Sequence, residues 1–524
     1  MADCDIVSPR NFRQSLLAML GLCFVLVMVA LDQTVIGTAL PTIVAELNGF
    51  DLYAWVGTSY LLTSVITIPI FGKLGDEHGR KPFVVVAIII FTLASMLCGL
   101  AQSMLQLVLA RALQGIGGGM LVSTSFACVP DLFPDSHERL RWQVLFSGAF
   151  GLANAVGPSL GGYLAEYWGW RWVFFVNLPV GIASLGFVWH YLPKIRHSKH
   201  PPSRLDWFGS MLVALTLGCL QLLVEWLQQH KSALILITLA SVAAVSGATL
   251  IWWERRCENP VLPLGMFTHR SLVPLFALSL MLGFSMFAVM YYAPLMFQGG
   301  FGLSPNQAGL LITPLALFIT VGSIMNGRIV TRLHSPNVIL YVGLGLFFIA
   351  DLALTQTTLV TPHSMIAITM MLGGMGLGLL LPNLTLFAQV SALPTQLGVA
   401  TAMIQLMRMV GGMLGIALIG TLIPHLYVSG VNDLLEANHI TQWASWLDDP
   451  KILVNHALAE KFIGVAPQTG HDALMFLDRA RNTLVDAIHD SQWTVAAFMI
   501  LAFWLVRRIP VIDLHSRAKG RESR

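Results

Sequence analysis

The sequence contains few charged residues. Asp, Glu, Lys and Arg make up 11% of the 524 residues, whereas hydrophobic residues make up 56%. An ordinary soluble domain carries roughly a quarter charged residues. The composition therefore excludes a soluble globular protein. The net charge is only +3, and the basic residues form no clustered face, which excludes a nucleic-acid-binding protein.

Motifs of metal centres, disulfides and hydrolytic enzymes are also missing. The cysteines are scattered, mostly inside apolar runs, with no CxxC pair, so we interpret them as inert packing residues. HExxH is absent, and the 15 histidines lie mainly in loops. We therefore predict that the protein is not an enzyme and holds no metal or cofactor. The cysteines are Cys4, Cys23, Cys98, Cys128, Cys219 and Cys257.

Long apolar runs are abundant. Crossing a bilayer takes roughly 20 apolar residues per helix, and the sequence predicts 14 such helices, including a first one that is retained rather than cleaved as a signal peptide. They form a group of six, a pair, and a second group of six. The predicted spans are 15–37, 53–72, 83–101, 105–128, 142–164 and 172–192; then 207–227 and 233–253; then 272–294, 306–327, 337–357, 363–384, 401–424 and 492–507.

This pattern predicts an all-α membrane protein with three regions. Residues 1–200 form a six-helix bundle, 201–260 two extra central helices, and 261–524 a second six-helix bundle with a cytoplasmic tail. Most of the 30 Lys and Arg residues fall in alternate loops and in the two termini. Because cytoplasmic loops are enriched in basic residues, both termini are predicted to be cytoplasmic, in a bacterial inner membrane.

One long loop, residues 424–490, is predicted to lie outside the membrane. Apolar residues from Leu474 to Ile488 alternate with charged ones, which predicts an amphipathic helix that leads into the last span. We interpret the loop as a cap on the outer face. The alternative is a docking surface for a partner, such as a periplasmic adaptor protein.

Five ionisable residues lie inside apolar spans, where a charge is costly unless it faces a cavity or a partner. Asp32, in LDQTVIGTALP, is the leading candidate for a proton-binding site. Arg111, in RALQGIGGGM, is placed to pair with it in one conformation and release it in another. A static ion pair that only orients two helices is the alternative. Glu225, Asp351 and Arg408 are additional candidates, and a structural or latch role for Arg408 is favoured over substrate contact.

Two glycine-containing motifs complete the set. GKLGDEHGRKP predicts a tight cytoplasmic turn with an acidic residue facing a basic pair, and its candidate residues are Gly72, Gly75, Asp76, Gly79, Arg80 and Lys81. GPSLGG lies within a membrane helix, where small residues allow close packing and a bend. Its candidate residues are Gly157, Pro158, Gly161 and Gly162.

These motifs resemble those of the major facilitator superfamily. GKLGDEHGRKP matches its GxLxDxxGRK signature, RALQGIGGGM its RxxQGxG element, and GPSLGG its GPxxGG antiporter element. LDQTVIGTALP, WGWRWVFFVNLPVG and RLDWFG further resemble the 14-helix drug:proton antiporter branch, the EmrB/QacA type. The chain departs from that branch at Gly37, Ala153 and Thr331.

The resemblance covers the whole chain and implies a fold and residue roles. It implies that Asp32 and Arg111 take part in proton coupling, that the GKLGDEHGRKP residues form a conformational latch, and that Gly157 to Gly162 support a hinge. It also implies two bundles that rock about a central site near the membrane midplane.

The expected function is proton-coupled export of drugs or other small, mostly lipophilic compounds. The proton gradient drives it, so no cofactor is needed, and the partners are the substrate, protons and the lipid bilayer. The first alternative is an exporter of narrow specificity, for a metabolite, siderophore or fatty acid. A more distant alternative is a membrane receptor or scaffold without transport activity.

Overall fold

The protein is described here by a computed structural model. The structure describes residues 12–133, 136–193, 206–228, 232–257, 260, 264–333, 335–392, 397–438, 443–465 and 470–510. Secondary structure in these ranges is helical, without a β-strand. The predicted all-α class is confirmed.

Eighteen α-helices follow one another along the described chain. The first seven are α1 (Phe12–Leu47), α2 (Tyr53–His78), α3 (Arg80–Gly99), α4 (Met104–Leu132), α5 (Ser136–Tyr167), α6 (Arg171–Phe175) and α7 (Asn177–Tyr191). A central pair follows: α8 (Trp207–Gln228) and α9 (Ala233–Glu254). The remainder are α10 (Leu272–Leu295), α11 (Pro305–Ile329), α12 (Val338–Leu354), α13 (His363–Ser391), α14 (Leu397–Ala437), α15 (Ala444–Leu447), α16 (Lys451–Val454), α17 (His456–Val465) and α18 (Gly470–Val506).

Eleven helical segments of the described chain are long and apolar enough to cross a membrane. The other three predicted spans coincide with α5, with the shorter apolar helix α12, and with the second half of α18. The structure is therefore compatible with the 14 predicted spans.

The same helix pairs pack in both halves of the chain. α1 packs on α5, α2 and α3 pack on α4, and α7 packs on α1 and α3. In the second half, α10 packs on α14, α11 and α12 on α13, and α18 on α10 and α12. Glycines repeat as well: Gly115 of α4 lies against the main-chain oxygen of Tyr60, and Gly374 of α13 lies against that of Leu315. Such a repeat is typical of transporters built from two related bundles.

The central pair, α8 and α9, pack against each other. α8 also contacts α2 of the first bundle and α14 of the second. The pair therefore sits beside the boundary between the bundles.

Helices flanking the predicted long loop reach far into it. α14 continues to Ala437 and α18 begins at Gly470. Phe476, Leu484 and Ile488 are buried, as the amphipathic pattern predicts, whereas Leu474 is 50% exposed. Leu474 lies in the first helical turns of α18, and the buried stripe passes through Ala473 and Phe476 instead.

Short helices in the segment between α14 and α18 touch both bundles. α16 packs against α1 and against the π-helical turn Met296–Gly300 that extends α10. Asn455 donates a hydrogen bond to the main-chain oxygen of Ala45 at 2.8 Å. We call this end of the molecule the loop end, and the opposite end, where α1 begins and α18 finishes, the termini end.

Candidate ion-pair site

The site is centred on Asp32 of α1 and Arg111 of α4. Both side chains are buried, with 2% of the Asp32 side chain and none of the Arg111 side chain exposed. Nη1 of Arg111 donates to Oδ2 of Asp32 at 2.6 Å. The structure therefore brings together the two charged residues that the sequence singled out.

Gln114 joins the pair into a closed ring of side chains. It lies one helical turn after Arg111, on the same face of α4. Its Nε2 donates to Oδ1 of Asp32 at 2.7 Å, and its Oε1 accepts from Nη1 of Arg111 at 2.8 Å. Each of the three side chains therefore fixes the other two.

Asn177 connects this ring to α3. Its Nδ2 donates to Oδ1 of Asp32 at 3.3 Å and to Oγ of Ser95 at 3.0 Å. Ser95 in turn donates to the main-chain oxygen of Phe174 at 2.9 Å. Asp32 is thus held by three donors from α4 and α7.

The guanidinium of Arg111 has further contacts on α2. Nε donates to the main-chain oxygen of Val56 at 3.2 Å, and Cζ lies 4.4 Å from the centre of the Tyr60 ring. Such a cation–π contact contributes more when it is desolvated, about 2 kcal/mol. Nη2 makes no hydrogen bond with the described residues.

Gain of a proton by Asp32 would change this arrangement. Protonating Asp32 would remove the charge that compensates Arg111 and turn one carboxylate oxygen into a donor, so the ring of hydrogen bonds could not persist unchanged. A buried charge left without its partner is strongly unfavourable, by about 3–5 kcal/mol. Protonation would therefore favour a different arrangement of α1 and α4.

The glycines of GPSLGG pack against two different helices. Gly157 lies against Thr34 of α1, and Gly161 lies against Thr38 and the main chain of Val35. Gly162 faces the other bundle, where it lies against the main chain at the start of α11. α5 is helical throughout its described length, including Pro158. The motif permits close packing within and between bundles; its hinge role stays a prediction.

The structure describes the side chains of most candidate latch residues, but not that of Asp76. Gly79 has a φ of 91°, a conformation that favours glycine, and it separates α2 from α3. Gly72 and Gly75 lie near Ser123 and Thr124 of α4, and Lys81 donates to the main-chain oxygen of Trp189 at 2.7 Å. Arg80 lies against Gly75, and the side chain of Asp76 lies outside the described residues.

The additional intramembrane charges lie apart from the ring. Asp351 of α12 is 1% exposed, and neither carboxylate oxygen has a hydrogen-bond partner among the described residues. Arg408 of α14 is half-buried and donates to Gln405 on its own helix. The side chain of Glu225 lies outside the described residues.

Sequence analysis did not assign Gln114, Asn177 and Tyr60 to the site. Gln114 stands in RALQGIGGGM three residues after Arg111, which places it on the same helix face, so its position carried a signal. Asn177 and Tyr60 are neutral residues on other helices, and only the packing of the helices brings them to Asp32 and Arg111.

Metal and disulfide sites are not found in the described part of the chain. No group of three or more His, Cys, Asp or Glu side chains there could hold a metal ion, and five cysteines are free. Cys98 contacts the ring, with Sγ 3.5 Å from Oε1 of Gln114.

A family model decides the classification. The model of the Major Facilitator Superfamily matches residues 22–416. The chain belongs to this superfamily. The predicted family and fold are thereby confirmed, and the protein is a multi-pass membrane carrier of small molecules, not an enzyme.

Similar proteins agree with this assignment. Multidrug resistance protein 3 of Bacillus subtilis is 32% identical over 416 residues, which cover 79% of this chain and 80% of that protein. Multidrug transporter protein MdtP of the same organism is 34% identical over 412 residues, which cover 76% and 74%. An inward-facing crystal structure of a bacterial homolog of the human lysosomal transporter Spinster shares the fold, with a TM-score of 0.66 at 14% identity, over 95% of this chain and 98% of that chain.

Proposed function

We propose that the protein is a proton-driven exporter of small, mostly lipophilic compounds that works by alternating access. The observation that carries the proposal is the enclosed pair of Asp32 and Arg111, held by Gln114 and Asn177. An ionisable side chain inside a membrane span is a functional candidate by default, and this carboxylate is paired with one buried guanidinium.

The substrate class rests on the relatives. Two transporters of Bacillus subtilis that are named for multidrug resistance or multidrug transport align with 79% and 76% of this chain, at 32% and 34% identity. This similarity supports export of several lipophilic compounds over export of one metabolite, siderophore or fatty acid.

Contacts between the bundles lie towards the loop end. Gln298 of the π-helical turn donates to the main-chain oxygen of Thr38 at 2.7 Å, and the main-chain nitrogen of Asn306 donates to Glu166 at 3.0 Å. Further towards the termini end, Gly148 of α5 and Gly327 of α11 have open space around them. The contact between α5 and α11 extends from the loop end to Gly151, whose main-chain oxygen accepts from Oγ1 of Thr320 at 3.1 Å. A central site open to the termini end is part of the proposal.

Orientation follows from the distribution of basic residues. We place both termini in the cytoplasm of a bacterium and the loop end on the outer side of the inner membrane. We infer that the transport cycle includes an inward-facing state in which Asp32 pairs with Arg111. Protonation of Asp32 from outside, and its deprotonation towards the cytoplasm in exchange for substrate, completes an antiport cycle. An adaptor protein at the loop end is an additional proposal.

The test is dye efflux from proteoliposomes with an imposed proton gradient. We compare the wild type with Asp32→Asn, which keeps the size of the side chain but removes its charge. The matched control is Asp51→Asn, which changes an exposed acid at the loop end. Wild type and control should export the dye, and a proton uncoupler should abolish that export.

Asp32→Asn should show no gradient-driven export although it binds dye. Export by this variant at the wild-type rate, or wild-type export that the uncoupler does not affect, would contradict the proposal. A wild type that binds and exports no dye would contradict the lipophilic substrate class and favour the narrow-specificity alternative.

A further inference from the structure

A short stretch of α10, with the π-helical turn that extends it, packs against α1 next to the ion pair. We call this contact between the two bundles the seal. Gly37 of α1 lets the main-chain oxygen of Met290 approach, since a Cβ there would lie 2.9 Å from that oxygen. At the loop end of the same stretch, Thr42 donates to Oε1 of Gln298 at 3.2 Å. α10 therefore follows α1 closely from the level of Gly37 to the loop end.

Tyr291 lies where this seal meets the site. A Cβ added at Gly57 of α2 would lie 2.6 Å from Cε1 of Tyr291 and 3.0 Å from its hydroxyl oxygen. Gly57 follows Val56, whose main-chain oxygen accepts from Nε of Arg111. The ring of Tyr291 thus reaches across the boundary to the residue next to an Arg111 contact.

Two contacts hold Tyr291 in this place. Tyr53 of α2 donates to the main-chain oxygen of Tyr291 at 2.9 Å, and the Tyr291 side chain is 3% exposed. The Tyr291 hydroxyl faces the Arg111 guanidinium, whose Nη2 makes no hydrogen bond with the described residues. Among the described residues, the titratable groups that face the pair are Tyr60 of α2, Cys98 of α3 and Tyr291 of α10, and of these only Tyr291 belongs to the second bundle.

We propose that Tyr291 is a positioning residue that couples the protonation of Asp32 to the closing of the loop end. When Asp32 is ionised, Arg111 is held by the ring of side chains and presents its guanidinium to the Tyr291 hydroxyl, which favours the closed seal. When Asp32 is protonated, the ring rearranges, Arg111 moves, and the seal loses this contact. The proposal rests on the proposed function, since it assumes that Asp32 is the proton-binding group.

Tyr292 provides a matched control. It is also a buried tyrosine of α10, and its ring stacks on Tyr53 with centroids 5.5 Å apart. Its hydroxyl, however, donates to the main-chain oxygen of Ile416 within the second bundle, at 2.7 Å. Tyr291→Phe and Tyr292→Phe therefore each remove one buried hydroxyl from neighbouring positions, and only the first removes a link to Arg111.

The experiment measures opening of the loop end directly. Spin labels at Gln102 and Val360, two exposed positions at the loop end of the first and second bundles, report the distance between the bundles. The labels are placed in a cysteine-free background that retains dye efflux, and distance distributions are recorded over a range of pH. The wild type should populate the short distance at high pH and the long distance at low pH.

Tyr291→Phe should raise the ratio of open to closed molecules at high pH roughly fivefold, because the closed state loses the polar contact of the hydroxyl with the guanidinium. Tyr292→Phe should keep the wild-type pH dependence. Identical pH dependence in both variants would overturn the role of Tyr291. Gly57→Ala tests the same role in a second way, because it keeps the Tyr291 hydroxyl but displaces the Tyr291 ring. It should change the pH dependence as Tyr291→Phe does. A wild-type pH dependence of Gly57→Ala would overturn the role of Tyr291.

Asp32→Asn in the same background separates the two proposals. A distance distribution that no longer responds to pH, together with a wild-type response in Tyr291→Phe, would leave the proton site standing and remove only the role of Tyr291. A pH response that survives Asp32→Asn would overturn the proton site itself, and the role of Tyr291 with it.

Discussion

Gln114 donates to one carboxylate oxygen of Asp32 at 2.7 Å, while its own side-chain oxygen accepts from the guanidinium that binds the other carboxylate oxygen. This relationship means that Asp32 and Arg111 are not an isolated pair. A change in the protonation of Asp32 must alter two hydrogen bonds of Gln114 as well. Gain of a proton by Asp32 would therefore require a rearrangement between α1 and α4.

Gln114→Leu should destabilise the protein and weaken coupling. Leucine has a similar size but no donor, so Oδ1 of Asp32 would keep only the longer contact with Asn177. The expected loss is about 1–3 kcal/mol, which thermal unfolding in detergent would measure. The control is Gln106→Leu at an exposed position of the same helix, which removes one exposed hydrogen bond from the main-chain nitrogen of Gln102 and should cost less. An equal effect of the two substitutions would show that Gln114 has no special role.

Arg111→Lys should abolish gradient-driven export although the positive charge is kept. The guanidinium donates to Asp32, Gln114 and the main chain of Val56 at the same time, and a lysine ammonium has no planar fork to reproduce these contacts. Dye efflux from proteoliposomes measures the loss.

The control for Arg111→Lys is an exposed ion pair. Arg171 and Glu46 form a salt bridge whose side chains are 39% and 52% exposed. Exposed pairs contribute about 0–1 kcal/mol, so Arg171→Lys should retain export. Full export by Arg111→Lys would show that only the charge matters and would contradict the importance of the ring.

Gly161→Ala should destabilise the protein, although replacing glycine with alanine inside a helix normally stabilises the helix by about 1 kcal/mol. The added methyl group would meet Thr38 and the main chain of Val35, and α1 and α5 would have to separate. Overpacking of this kind costs about 1–3 kcal/mol. Gly148→Ala, on the same helix with open space around it, should be neutral or stabilising. Comparison of the two melting temperatures is the measurement, and an unchanged Gly161→Ala would contradict the close packing.

A reversible cross-link between α5 and α11 should block transport. The hydroxyl groups of Ser159 and Thr313 are hydrogen-bonded across the boundary between the bundles. In a cysteine-free background, Ser159→Cys combined with Thr313→Cys should form a disulfide on oxidation that stops efflux, and a reductant should restore it. Each single variant should be unaffected by oxidation. Full efflux by the cross-linked protein would show that the bundles need not separate here.

The sequence reveals the spans and the charged centre for physical reasons. Each span needs roughly 20 apolar residues, so it can be located from the sequence alone. Asp32 and Arg111 stand out because a charge within such a run is costly. Asp351 is identified from the sequence in the same way, yet the structure places it away from the ring. The sequence shows that a charged residue lies inside a span, but not which other helices surround its side chain. Tyr291 gives no signal at all, because only the contact between the bundles brings it to Arg111.

The central claim is that Asp32 releases its proton when the protein binds substrate. Measuring proton release on substrate binding tests it most directly. Ethidium, a lipophilic cation, is added to purified protein in weakly buffered detergent solution, and the pH is followed over a range of starting values. Wild type and Asp51→Asn should acidify the solution as they bind the dye, whereas Asp32→Asn should bind it without releasing protons. Equal proton release by Asp32→Asn and the wild type would contradict the account.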